Sequence, residues 1–310
     1  MKFMDRLVSQ LAAAAEPSRA RILLLLAEAE LAMGELAQVL GQSQPRLSRH
    51  VRILAEAGLV RRKREGAYTF VSLDPGPAAQ AILKLLQDLA GDPAPVAAER
   101  ARLAEVRHRR QQALDRWFAQ HAEEWDELRR LEGPQDDVER SIFELASAHG
   151  VGELLDLGTG TGRMLELLAP LARRAAGLDR SPEMLRVARS KLDAAGLAGV
   201  DIRLGDVLAI PFADASFDTV TLHQVLHFLD GPEAALREAA RVLRPGGQLL
   251  VADHGAHDVE DLRERFRHAR LGFAEDEMAE LLHRVGLKTA TVRRFAGGRV
   301  PILLWQAVRP

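Results

Sequence analysis

Leu154-Leu155-Asp156-Leu157-Gly158-Thr159-Gly160-Thr161-Gly162 is the stretch on which the fold turns. Val151, Leu154, Leu155 and Leu157 form an apolar run, which predicts a buried strand. Gly158, Gly160 and Gly162 break it, and Met164, Leu165, Leu167 and Leu168 then open a helical pattern. Strand, glycine turn and helix in that order is where an α/β sheet receives a nucleotide-like ligand. Glycine tolerates positive φ and lets backbone N–H groups approach the ligand closely. A dinucleotide fingerprint would carry its third glycine at position 163, but Arg163 stands there and the third glycine comes one residue early. Asp156 lies two residues before the first glycine. For the glycines alone, the bland alternative is a tight structural turn.

Four more pieces follow in order. Ala175–Asp179 reads as a second strand ending in a carboxylate, 21 residues after Gly158. An acceptor-only acid at that spacing suits the two hydroxyls of a ribose. Ser181 then caps a helix with Pro182 at its first position, leading through Glu183 to Met184. Val200–Leu204 alternates as a third strand before Gly205-Asp206-Val207. Phe217–Leu222 is a fourth strand, continued by His223-Gln224-Val225-Leu226-His227-Phe228, and Leu243-Arg244-Pro245-Gly246-Gly247 turns into a fifth over Gln248–Asp253. The tail adds a helix over Glu275–Val285 ended by Gly286. Two strands, Lys288–Phe295 and Val300–Val308, follow and are joined through Gly297-Gly298.

Over about residues 117–310 this set resembles the class I S-adenosylmethionine (SAM) methyltransferases. The resemblance implies an α/β, Rossmann-like domain with a seven-stranded sheet, helices on both faces, and a terminal hairpin supplying the antiparallel strand. It implies SAM or S-adenosylhomocysteine (SAH) as the ligand. The residues it assigns to that ligand are Asp156, Gly158, Thr159, Gly160, Gly162, Asp179, Arg180, Met184, Asp206, Val207 and His223. In this scheme Met184 lies against adenine, and Asp206 accepts the adenine amino group beside the Val207 N–H.

Methyl transfer is displacement at a sulfonium methyl and depends mostly on alignment, so a general base is often optional. The candidates for a catalytic role are His223, His227, Asp253 and His254, near strand ends at the ligand face. His223 and His227 are spaced i, i+4, but no carboxylate or third histidine joins them at a diagnostic spacing, so no metal site is expected. No Asp/Asn-Pro-Pro-Tyr/Phe sequence follows the fourth strand, which argues against methylation of DNA bases. The chain has no cysteine. This removes disulfides, thiolate metal sites and a cysteine nucleophile; arsenic methylation is excluded by resemblance, since the families that carry it out require several cysteines.

Upstream, residues 5–14 form a short helical pattern and Pro17 opens a second helix with Ile22, Leu23, Leu25 and Leu26 apolar. Met33–Leu40 is a third helix, ended by Gly41. Ser43 caps a fourth that runs to Ala57 and stops at Gly58. Two short helices around a glycine-containing turn predict a helix-turn-helix. Gln44, Arg46, Ser48, Arg49 and Arg52 project from its second helix, while Leu47, Val51 and Leu54 form the stripe that packs it down. Arg61-Arg62-Lys63-Arg64 then enters a hairpin through Glu65-Gly66 to Leu73, a basic wing whose cations suit phosphates. The net charge of the 310 residues is only −2, yet Gln44–Gly66 carries seven basic and two acidic residues. That local excess predicts a polyanion-binding face.

Glu16–Leu23, Gln44–Leu54 and Ala57-Gly58-Leu59-Val60 resemble the ArsR/SmtB winged-helix repressors over about residues 5–90. The resemblance implies double-stranded operator DNA as a partner, with contacts from Gln44, Arg46, Ser48, Arg49, Arg52, Arg61, Arg62, Lys63 and Arg64. It also implies a homodimer through residues 5–14 and 76–90. Many family members sense metals through a Cys-x-Cys at the start of the third helix. Here Ala32 and Gly34 occupy those positions and cannot ligate.

The expected organisation is a winged-helix domain over 1–90, a helical linker and lid over 91–136, and a methyltransferase-like domain over 137–310. Gly91-Asp92-Pro93-Ala94-Pro95 marks the first boundary. A long arginine-rich helix and the lid-like Trp117–Arg129 follow. No apolar run is long enough to cross a membrane, so a cytoplasmic protein is expected. Two functions fit. One is a repressor whose second domain senses SAM or SAH; fusions of this layout resemble regulators of methionine and SAM-cycle genes. The other is a methyltransferase for a small acceptor, with the winged helix providing autoregulation.

Overall fold

The computed structural model describes residues 2–65, 67–90 and 94–310. Gly66 in the expected wing turn and Gly91-Asp92-Pro93 at the expected boundary lie outside them. The chain divides into two compact units between Ala113 and Leu114.

The first unit contains α1 (Lys2–Ala14), α2 (Pro17–Leu26), β1 (Leu31–Ala32), α3 (Met33–Leu40), α4 (Gln44–Glu56), β2 (Val60–Glu65), β3 (Tyr68–Leu73), α5 (Pro77–Ala90) and the first part of α6 (Ala94–His121). The Glu16 side chain accepts from Arg19 N at the start of α2. Gly41 ends α3 in the left-handed region. Ser43 stands at the N-cap of α4 but its side chain makes no capping bond, so Pro45 in the first turn is what favours the helix there. Strands β2 and β3 form the antiparallel wing. The two-residue strand β1, too short to leave a sequence pattern, adds Leu31 and Ala32 opposite Val71 and Phe70. Ile22, Leu36, Leu47, Leu54 and Leu59 are fully buried in the core beneath α4.

The second unit begins with the end of α6. It continues through α7 (Trp125–Glu132), α8 (Gln135–His149), β4 (Glu153–Leu157), α9 (Arg163–Leu168), β5 (Arg174–Asp179), α10 (Pro182–Ala194), β6 (Asp201–Leu204) and β7 (Phe217–His223). It closes with α11 (Pro232–Val242), β8 (Leu243–His254), α12 (Glu260–Phe266), α13 (Glu275–Arg284), β9 (Lys288–Phe295) and β10 (Ile302–Val308). The sheet order is β6-β5-β4-β7-β8-β10-β9. Strands β4 to β8 run parallel to one another, and β10 is antiparallel to both β8 and β9. The strand order reverses beside β4, so the glycine loop that follows β4 lies at the switch point where such sheets take ligands. The Leu243–Gly247 turn is absorbed into the start of β8, where the pairing with β7 slips. Past β7 the chain turns sharply at Gln224, φ +57°, into a 3-10 turn over Leu226–Phe228.

Candidate functional site

The glycine loop is held from both sides. Gly158 N and Thr159 N both donate to Leu178 O on β5, at 2.8 and 3.0 Å. Gly158 and Gly160 have φ of +67° and +53°, and a Cβ at Gly158 would lie 2.5 Å from Val225. Asp156 turns into the protein. Its carboxylate accepts from Thr159 Oγ1 and Thr221 Oγ1, each at 2.6 Å. Burial pushes its pKa up to about 6, against the pull of the two hydroxyls. Asp156 therefore braces the loop from within.

Asp179 closes the other side. Its Oδ2 accepts from Gly160 N at 2.8 Å and its Oδ1 from Ser181 N at 2.9 Å. Each carboxylate oxygen has a second acceptor position, so a hydroxylated ligand can be held without breaking either bond. Burial raises its pKa, while the backbone N–H groups of Ser181, Gly160 and Arg180 counter that. Gly205 N donates to Asp179 O and brings Asp206 and Val207 to the same edge. Arg180 pairs with Asp115 at 3.1 Å and lies 3.7 Å from Asp206. Met184 is buried with Leu114, Trp117, Trp125, Val187 and Phe228. The Trp125 ring stands over the loop, its Nε1 3.7 Å from where a Cβ on Gly160 would be. The aromatic segment expected as a lid thus packs over this edge of the sheet. Thr161 Oγ1 donates to Asp126, which also pairs with Lys191. Sequence reasoning missed Asp126, because an acid on an amphipathic helix has no local signature.

His223 is buried at the end of β7. Arg129 Nη1 donates to its Nδ1 at 3.0 Å. A guanidinium cannot accept, so this imidazole is neutral with its proton on Nε2. Burial, then the Arg129 charge, holds its pKa well below the usual value. Arg129 is itself buried and pairs with Glu139 at 3.2 Å, which Arg163 also contacts at 2.7 Å.

The other candidate catalytic residues converge on a buried cluster at the ends of β7 and β8. His227 Nδ1 lies 2.7 Å from Asp253 Oδ1. Asp253 also accepts from Leu226 N and His254 N, both at 2.8 Å. His254 Nε2 is 3.1 Å from Glu132 Oε2, and His268 Nε2 is 3.7 Å from Glu132 Oε1. The expectation of no metal-ligating constellation rested on the spacing of His223 and His227. The structure groups His227 with His254 and His268. His268 and Glu132 were not among the sequence candidates, because more than a hundred residues separate them in the chain.

In the first unit Gln44, Arg46, Ser48, Arg49 and Arg52 are all exposed on α4 above buried Leu47, Val51 and Leu54. Arg61, Arg62 and Arg64 are exposed on β2, with Lys63 partly so. Arg61 pairs with Asp74 and Lys63 with Glu65. Gln44, Ser48, Arg62, Tyr68 and Thr69 line one depression between α4 and the wing.

A glycine loop at the switch point, an acid closing the next strand and one reversed strand near the sheet edge define a class I methyltransferase fold. The first unit is a winged helix. Residues 155–251 match the family described as methyltransferase domain, and residues 16–62 match bacterial regulatory protein, arsR family. The chain thus joins an ArsR-family helix-turn-helix domain to a methyltransferase domain. It is 32% identical to the uncharacterized methyltransferase YcgJ of Bacillus subtilis over 152 residues, 49% of this chain and 59% of that protein. It is 39% identical to the demethylmenaquinone methyltransferase of Thermus thermophilus over 140 residues, 44% of this chain and 63% of that protein. It spans only about three fifths of the length of these relatives. A solved structure of a methyltransferase candidate from Bacillus halodurans C-125 shares the fold, with a TM-score of 0.51 at 22% identity, covering 56% of this chain and 98% of the other.

Proposed function

We propose that the chain is a DNA-binding transcriptional repressor whose methyltransferase-like domain binds SAM or SAH as an effector. The glycine loop and Asp179 suit the ribose of an adenosyl group, and Met184 with its aromatic neighbours offers an apolar face for adenine. On the first unit, Arg46, Arg49 and Gln44 suit base edges in the major groove, and the β2 cations suit phosphates. Met4, Leu7, Val8 and Leu11 form an exposed apolar row along α1, which supports pairing of two chains there.

One observation carries the effector reading. Helix α6 supplies Val96 and Leu103 to the cores of the first unit and Leu114 and Trp117 to the aromatic layer of the second. A ligand that moves Trp117, directly or through Trp125 packed edge-on against it, therefore acts on a helix that also belongs to the winged-helix core. Ala32 and Gly34 leave the usual thiolate position without ligands, so the signal must enter elsewhere. The similarity to methyltransferases supports a second reading, methyl transfer to a small acceptor. Calorimetry with SAM and SAH, with and without a DNA fragment selected from a random pool, separates the two. The effector reading expects DNA and ligand to change each other's affinity by one common factor. Independent binding together with consumption of SAM would favour the enzyme.

A further inference from the structure

We propose that His227, His254 and His268, with Glu132 beside them, bind a divalent transition-metal ion of the zinc class. One donor atom from each histidine lies within 4.8 Å of the others, and all three residues are buried. They come from three places: the turn after β7, the end of β8 and the segment after α12. Glu132 arrives from the end of α7. The chemistry of the donor set is coherent. Three imidazoles and one carboxylate suit zinc and its neighbours, and the absence of thiolates disfavours softer ions.

Two observations point to a ligand rather than to ordinary packing. His227 Nε2, His254 Nδ1 and His268 Nδ1 are buried without hydrogen-bond partners, and the Nε2 atoms of His254 and His268 face only the buried Glu132 carboxylate, at 3.1 and 3.7 Å. An ion would take one nitrogen from each ring together with a Glu132 oxygen. The other nitrogen of His227 lies 2.7 Å from Asp253 Oδ1, and Asp253 is fixed by two backbone N–H groups. A carboxylate behind a ligating histidine is the usual outer partner of a metal site, setting tautomer and ring orientation. A tetrahedral ion with bonds near 2.0–2.1 Å places its donors roughly 3.3 Å apart. The rings of His227 and His254 are stacked at 4.4 Å, so side-chain torsions must rotate to converge their lone pairs. Bound there, the ion would tie the end of α7, whose first residue Trp125 covers the glycine loop, to the ends of β7 and β8. The proposal stands whether the ligand at that loop is an effector or a methyl donor.

The test uses the untagged full chain, stripped with a chelator, checked for folding by circular dichroism, and titrated with Co²⁺ and then Zn²⁺. The expected result is about one Co²⁺ per chain with the intense visible absorption of a tetrahedral site, displaced by Zn²⁺. His254→Gln and His268→Gln should each weaken Zn²⁺ binding more than about 100-fold, and Asp253→Asn by roughly 10–100-fold. His283→Ala, on the exposed face of α13, should change nothing. Failure of the folded wild-type chain to take up stoichiometric Co²⁺ would overturn the proposal. So would a weak octahedral spectrum that survives both glutamine substitutions. The wild-type titration decides even if a variant does not fold.

Discussion

In the winged-helix unit the arginines of α4 stand in solvent above an apolar floor. In the methyltransferase unit the polar residues that shape the site are interior: Asp156, Arg129, His223, His227, Asp253 and His254 are all buried. The two arrangements make different demands. An exposed Arg46 or Arg49 is free to meet a polyanion and contributes little to folding. A buried Arg129 is held by Glu139 and His223, and removing it takes the partner from His223 Nδ1 and leaves Glu139 with Arg163 alone. Changes on the first face should therefore separate binding from stability, whereas changes in the second interior should move both together.

The largest expected effect comes from Arg129→Met. Breaking a buried pair by removing one partner costs about 3–5 kcal/mol. Chemical denaturation followed by the fluorescence of Trp117 and Trp125 should show that loss, and an unchanged midpoint would mean that Glu139 finds full compensation from Arg163.

Asp156 gives a smaller, pH-dependent effect. Its pKa in the folded protein is about 6, above the ordinary 3.8. The folded state therefore binds the proton more tightly, and this group's stabilising contribution is fully present below about pH 4 and lost as pH rises through 6. The difference is on the order of 3 kcal/mol. Asn cannot ionise, so the stability of Asp156→Asn relative to wild type should rise between pH 4 and pH 7. Urea melts at those two values check the sign, and a gap that stays constant would show Asp156 ionised throughout.

On the exposed face, Arg49→Ala and Arg46→Ala should each remove ~1–3 kcal/mol of discrimination for a selected operator while leaving the denaturation midpoint in place. Arg62→Ala should weaken all sequences alike and reduce the salt slope by about 1. Filter binding across a salt series separates the two behaviours. If Arg49→Ala kept operator preference intact, α4 would not be the reading helix.

The same contrast explains what could be read from the chain. The glycine loop, Asp179, the Ser181-Pro182 helix start and the α4 stripe are local: each follows from backbone conformation, capping or helical spacing within a few residues. The wing is local too, since β2 and β3 are adjacent in the chain. The buried network is not. Arg129 meets His223 across 94 residues, and Glu132 reaches His254 and His268 only because the sheet order brings the ends of β7 and β8 to α7. Asp156 was legible as part of the loop, but its inward turn depends on Thr221, on the neighbouring strand. Gln224 carries no sign in the sequence of its left-handed conformation.

The central claim is that ligand occupancy at the glycine loop and Asp179 changes the affinity of the winged helix for DNA. The direct measurement is the affinity of the full chain for a selected operator at zero, saturating SAM and saturating SAH, repeated with Asp179→Ala. The account predicts a change of ~5–150-fold with at least one ligand. It also predicts that Asp179→Ala loses ligand binding and the response while keeping the ligand-free DNA affinity. Equal operator affinity in all three conditions, with ligand binding demonstrated in the same samples, would contradict it.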